Sequence, residues 1–181
     1  MNTTVLFSEL LVGGILSLTW IVLFAFGAVK EDSFSLFFGK GSITVGVVFL
    51  AYSYALGVVL DRVWDFITKP IDGKVRKAHD IGKEKVREWR REAFGDKDKI
   101  PEFIEYIRSR MRIARACLCN FVFISVAAVF YYKSVTEDPS LCVFITILSI
   151  GGMFSGIAFY AHWKLLNTYY IQLKNMAEPS R

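Results

Sequence analysis

At 181 residues, with 54% hydrophobic content and a mean hydropathy of +0.39, the chain is too apolar for an ordinary soluble domain, and its apolar residues gather in long runs. The formal charge of +5 does not imply a general nucleic-acid binder, because membrane proteins concentrate Lys and Arg on one side and that bias alone gives such a balance. Cys117, Cys119 and Cys142 are odd in number, lie within apolar runs and lack metal-ligand spacing; they read as small buried hydrophobes and argue against a disulfide framework.

The first apolar run, Val5 to Val29, is long enough for a tilted span and has neither a basic leader nor a cleavage site, so a retained helix is expected. Glu9 is its only formal charge, one turn in, within reach of the inner interface. A short outer loop is expected at Lys30 to Lys40, then a second span from about Ser42 to Leu60 that ends at Asp61, Arg62, Trp64 and Asp65, with Trp64 placed as an interfacial aromatic.

Pro70 and Gly73 then predict a break, followed by a charged helix from about Lys74 to Phe94. Its apolar positions Val75, Ala78, Gly82, Val86, Trp89 and Ala93 recur every three or four residues and form one narrow stripe. Gly95 to Asp98 marks a turn, and Pro101, with Glu102 and Glu105 behind it, opens a new helix. Ile100, Phe103, Ile107, Met111 and Ala114 carry the spacing straight into the third apolar run, Ile113 to Tyr132. Nothing in that stretch breaks a helix, which predicts one rod of about 45–50 Å. Phe103, Tyr106 and Trp89 are expected at the seam between the two charged helices, with base stacking as the alternative. A short loop at Lys133 to Ser140 precedes the fourth span, Leu141 to Trp163, and Lys164 to Arg181 reads as a polar tail.

The topology rests on the insert. Residues 69 to 115 hold 15 of the 22 basic residues against nine acids, a balance of +6. A block of this kind stays in the cytoplasm, which places both termini there as well; the inverted arrangement would export the basic insert. The expected fold is therefore all-α, a polytopic membrane protein with four transmembrane helices and a cytosolic helical hairpin between spans 2 and 3. Its parts are residues 1–65 with helices 1 and 2, the insert at 66–112, residues 113–163 with helices 3 and 4, and the tail at 164–181.

The strongest side-chain constellation is Arg108, Arg110, Arg112 and Arg115. At 100° per residue Arg108, Arg112 and Arg115 share a stripe, and planar guanidinium forks suit phosphates. Lys83, Arg87, Arg90 and Arg91 on the preceding helix could complete a basic wall; pairing with Glu84, Glu88, Glu92 and Glu105, or contact with anionic lipid headgroups, is the competing reading. Polar groups within the spans are few: Glu9, Asn120 and His162. Asn120, two turns into span 3, would line a pore or bond another helix, and His162 beside Trp163 would snorkel to the interface. Small residues four apart, Gly13 with Ser17, Ala51 with Ala55, Ser53 with Gly57, Gly151 with Ser155 and Gly152 with Gly156, allow close helix packing, and the cluster from Gly151 to Gly156 is the densest. The two histidines, His79 and His162, lie far apart in the layout, and no glycine-rich phosphate loop, HExxH or nucleophile elbow is present. No enzyme, no cofactor and no metal site are expected.

Two spans, then KVRKAHDIGKEKVREWRREAF, then PEFIEYIRSRMRIARA feeding a third span, is an order of features that resembles the small multi-span membrane effectors of bacterial anti-phage defence, the Hailong-type effectors in particular. The resemblance covers the whole chain as architecture. It implies an inner-membrane ion channel, a cyclic homo-oligomer with a tetramer favoured, controlled by a nucleotide or single-stranded oligonucleotide made by a partner nucleotidyltransferase. The insert independently suggests gating, since a helix continuous with span 3 would transmit what its arginines bind. The alternative expectation is a non-conducting membrane anchor or assembly subunit that docks a soluble partner or anionic lipid. A transporter is disfavoured by the absence of an internal repeat or broken helix pair.

Overall fold

The computed structural model describes residues 3–29, 43–78, 82–95 and 102–177. The expected outer loop at Lys30 to Lys40, His79, the turn residues Asp96 to Asp98, and Pro101 lie outside the described residues. Five helices are described: α1 Thr3–Val29, α2 Ile43–Ala78, α3 Lys83–Gly95, α4 Glu102–Val135 and α5 Leu141–Ala177. Four of them carry stretches long and apolar enough to cross a membrane, Leu6–Ala28, Gly46–Ala78, Phe103–Val135 and Leu141–Asn175. In hydrocarbon every backbone N–H and C=O must be paired within the segment, which is why these runs are helical throughout. The chain is an all-helical, multi-pass membrane protein.

The helices stand in the order α2, α1, α4, α5, with α1 packed between α2 and α4, and α4 between α1 and α5. Helices α1 and α4 run parallel at a constant offset. Glu9 meets Arg112, Ser17 meets Asn120, and at the far end Gly27 abuts Phe130 and Tyr131. Helix α2 crosses α1 antiparallel at a glycine contact: a Cβ on Gly14 would lie 1.5 Å from the Ser53 carbonyl oxygen, and one on Gly57 would lie 1.9 Å from that of Leu10. Backbone therefore touches backbone, and close van der Waals packing supplies the association that the hydrophobic effect cannot supply in lipid. Helix α5 returns along α4 in the same fashion. Gly151 lies against Ser125 and Phe121, and the Ser155 hydroxyl donates to the Leu118 carbonyl at 3.0 Å. Gly152 and Gly156, one position on, meet nothing within 4 Å. Within this chain the packing pair is Gly151 with Ser155, and the Gly152 and Gly156 face is turned outward.

The buried apolar core sits at the charged end, where α1 and α4 begin and α2 and α5 finish. It joins Val75 of α2, Val86 and Trp89 of α3, Ile104 and Ile107 of α4, and Leu166, Tyr169, Tyr170 and Leu173 of α5. Four sequence expectations change here. Helix α2 does not stop at Pro70 and Gly73 but runs through both to Ala78. An internal proline costs about 3 kcal/mol. Continuing the helix carries Ile71 and Val75 into the core, and Val75 is fully buried, a gain of about 1.5–3 kcal/mol for a side chain of that size. The segment after Trp163 is no polar tail: it is helix to Ala177 and supplies four core residues. Phe103 and Tyr106 are not in the seam. Both are about half exposed, at 49% and 52%, and Ile104 and Ile107 on the neighbouring stripe are buried instead, while Trp89 is buried as expected. Helix α3 makes its main contact with α5, so the insert does not stand as a self-contained hairpin; it is gathered around the end of α5. Helix α4 is the expected unbroken rod, 34 residues long and so about 51 Å.

The contrast between glycines is testable. Gly14→Ala should destabilise the detergent-solubilised protein by about 1–3 kcal/mol in chemical denaturation, because the added methyl overlaps backbone. Gly152→Ala should stay within about 0.5 kcal/mol.

Candidate functional site

Two ion-pair clusters tie α4 to its neighbours at the charged end. Glu9 has a side chain only 3% exposed. The Arg112 Nε donates to its Oε2 at 2.8 Å, Nη2 lies 2.7 Å from the same oxygen, and the Ser109 hydroxyl donates to Oε1. Ser109 and Arg112 are one helical turn apart, so a single face of α4 delivers all three contacts. A carboxylate in apolar surroundings is tolerated only when paired and hydrogen-bonded in this way. One turn further along α4, Arg115 bridges to α2. Its Nη2 donates to Asp61 at 2.8 Å and its Nη1 to Asp65, the two acids standing four apart on one face of α2. The pairs differ in wetness: Asp61 is 23% exposed and Asp65 60%.

Between α2 and α5, over α4, these residues open into a cleft of about 710 Å³. Its walls carry Arg62, Lys69, Arg108, Arg112 and Arg115 against Asp61, Asp65 and Asp72, five cations to three acids, with His162, Leu166 and Tyr169 from α5. The cleft ends at the apolar core, where the Tyr170 hydroxyl donates to Asp72 at 2.5 Å. His162 is only 2% exposed and does not snorkel to open solvent; it has a backbone hydrogen bond to Met111, and its Nδ1 is unpartnered among the described residues. The Arg115 Nε is likewise buried without an acceptor. A void of about 10 Å³, room for one water molecule, is lined by Glu9 and Trp64.

The expected basic wall divides. Arg108, Arg112 and Arg115 line one cleft, as their shared stripe predicts. Arg110 does not join them: it is exposed and lies over the Tyr106 ring at 5.0 Å, a cation–π contact. Arg87 and Arg91 are exposed on α3, away from the cleft lining, and of Lys83 and Arg90 only the place on α3 is described. Asn120 is wholly buried in the α1–α4 seam. Its Oδ1 accepts from Ser17 at 2.8 Å and from the Trp20 indole at 3.0 Å, and its Nδ2 donates to the Ala116 carbonyl at 2.9 Å. Of its two expected roles the structure places it in the helix–helix bond, and Glu9 likewise belongs to helix packing. Sequence reasoning missed Ser109 and Asp72 as site residues; for Asp61 and Asp65 the four-residue spacing was an available signal.

An all-helical four-span protein with a polar cleft at its charged end is the class this geometry defines. No protein-family model matches the chain, and comparison with curated proteins and with solved structures finds none similar to it.

Arg112→Ala should cost about 3–5 kcal/mol because it strands Glu9 in a buried site, and Arg112→Met combined with Glu9→Gln should recover most of that loss. Asp65→Asn should cost no more than about 1 kcal/mol, as an exposed partner. In the membrane half, Asn120→Leu leaves the Trp20 indole N–H without its acceptor, while the Ser17 hydroxyl keeps the Gly13 carbonyl at 2.8 Å, a loss of about 1–3 kcal/mol. Denaturant titration of the purified variants reads all three.

Proposed function

We propose that this chain is the protomer of a homo-oligomeric, channel-forming effector of the bacterial inner membrane, controlled at its charged end by a phosphate-bearing nucleotide or single-stranded oligonucleotide. The positive-inside bias favours the basic insert and both termini in the cytoplasm. One observation carries the reading: the cleft arginines that a phosphate would engage, Arg112 and Arg115, are the ones whose ion pairs fasten α4 to α1 and α2. An anion that takes up these guanidiniums competes with Glu9, Asp61 and Asp65, and α4 continues unbroken from Arg108 into the membrane. Binding is thereby coupled to helix packing through its differential affinity for two arrangements. A four-span protomer is too small to enclose a wide aqueous path, so conduction requires a ring of copies; the resemblance to Hailong-type effectors favours four, with the ligand made by a partner nucleotidyltransferase.

A non-conducting anchor that docks a soluble acidic partner is favoured by a different feature, the exposed Arg87 and Arg91 on α3.

Ion flux through the purified protein in liposomes, with and without short single-stranded DNA on the side of the insert, separates the two. A flux that changes with the oligonucleotide supports the channel. Arg108→Glu should then weaken the response at least about tenfold, the worth of one charged hydrogen bond, and it does so without removing a partner from Glu9. Absence of flux from correctly inserted protein under every condition would leave the anchor reading.

A further inference from the structure

We propose that the void beside the α1–α2 crossing holds one ordered water molecule, which accepts from the Trp64 indole and donates to the carboxylates of Glu9 and Asp61. The inference goes beyond the gating reading and holds whether or not the protein conducts. It joins the two ion-pair clusters of the charged end into one network.

The space comes first. Glu9, Gly13, Gly57, Asp61, Trp64 and Arg112 are in its wall, and its volume of about 10 Å³ admits one water and no larger ligand. The two glycines leave room for different reasons. A Cβ on Gly57 would lie 1.9 Å from the Leu10 carbonyl oxygen, so the contact of α1 with α2 requires that glycine. A Cβ on Gly13 would meet only the Ala116 methyl, at 3.5 Å, an ordinary contact. Helix packing therefore has room for alanine at position 13, and the glycine keeps open a space that a methyl group would fill.

Hydrogen bonding comes second. Trp64 is only 4% exposed, and its Nε1 is buried without an acceptor among the described residues. Buried donors are normally satisfied by protein or by ordered water. An indole nitrogen donates and does not accept, so whatever meets it must bring a lone pair. Glu9 receives Arg112 and Ser109, and the named bond to Asp61 falls on its Oδ1. An ionised carboxylate offers about four lone-pair sites, so both acids can accept further bonds. One indole donor and two carboxylate acceptors give the water about three bonds, the usual number for a buried one.

Charge excludes the other small occupants. A cation would compete with Arg112 for Glu9 and has no lone pair to offer the indole. An anion would face the carboxylates of Glu9 and Asp61. Water both donates and accepts, and it adds no charge to acids that already have their arginines. Seated there, it ties Glu9 of α1 to Asp61 and Trp64 of α2, beside the direct bridges that Glu9 and Asp61 each make to α4.

The test uses the full-length protein in detergent micelles with isotope-labelled tryptophan, and reads rotating-frame Overhauser cross-peaks in NMR between the indole N–H groups and the water resonance. The chain has four tryptophans, and Trp64→Phe assigns the Trp64 signal. The Trp64 indole should show a cross-peak opposite in sign to chemical exchange, as a water held in place gives. Gly13→Ala, whose methyl takes the water's place, should abolish it. The Trp20 indole, which donates to Asn120 in the α1–α4 seam, should show none. Absence of the Trp64 cross-peak in the unsubstituted protein would overturn the proposal. So would its survival in Gly13→Ala, which would trace the signal to exchanging protons of Arg112, or an equal cross-peak at Trp20, which would make it general penetration of water between the helices. The spectrum of the unsubstituted protein decides the question alone if Gly13→Ala does not fold.

Discussion

The contact between Glu9 and Arg112 sets the register of the molecule. Helix α1 carries one formal charge in an otherwise apolar run, and a lone carboxylate there must find a cation before any other packing can be satisfied. Arg112 is that cation, with Ser109 adding a hydroxyl donor. Once Glu9 is fixed, the same offset brings Ser17 to Asn120 and Gly27 to Phe130. The seam between the parallel helices is thus pinned twice by polar groups that have no partners in lipid, and apolar contact alone would allow it to slide. Helices α2 and α5 close on this pair through small residues, and α2 is tied to α4 as well by Arg115 with Asp61 and Asp65.

The spans could be read from the sequence because bilayer thickness imposes a length on apolar runs, and the continuity of α4 because nothing between Glu102 and Val135 interrupts a helix. The charged end was less legible. Periodicity announces that a stripe will be buried but does not say which of two adjacent stripes wins, and on α4 the choice fell on Ile104 and Ile107 over Phe103 and Tyr106. That choice depends on Leu166, Tyr169, Tyr170 and Leu173, which stand in a segment whose polar residues disguise it as a tail. Pro70 misled for a related reason: a local signal to stop was offset by the burial of Ile71 and Val75 together beyond it. The arginine stripe was visible from angular spacing alone. The acids that occupy it were not, because Glu9 and Asp61 are 103 and 54 residues away along the chain from Arg112 and Arg115.

The three cleft arginines are therefore unequal partners for an anion, although the sequence presents them as a repeat. Engaging Arg108 disturbs neither of the two pairs that fasten α4. Drawing Arg115 away from Asp65 returns a carboxylate to water that is already 60% exposed, and such a pair is worth at most about 1 kcal/mol. Drawing Arg112 from Glu9 strands a buried charge at about 3–5 kcal/mol, a large fraction of the roughly 8 kcal/mol of a micromolar complex. In the proposed gating, a phosphate ligand would meet Arg108 first, exchange with Asp65 next, and reach Arg112 only with further contacts or with Glu9 compensated in some other way. In the gating reading this gradient has a mechanical meaning. Weak anions would leave the α1–α4 seam intact, while a ligand with several phosphates along one strand would bring more binding energy to bear on the Glu9 pair and so on the packing of the membrane helices. A polyanion would be distinguished from the ordinary anions of the cytoplasm by the depth to which it unfastens the cluster, and affinity for the surface charge alone would not discriminate between them.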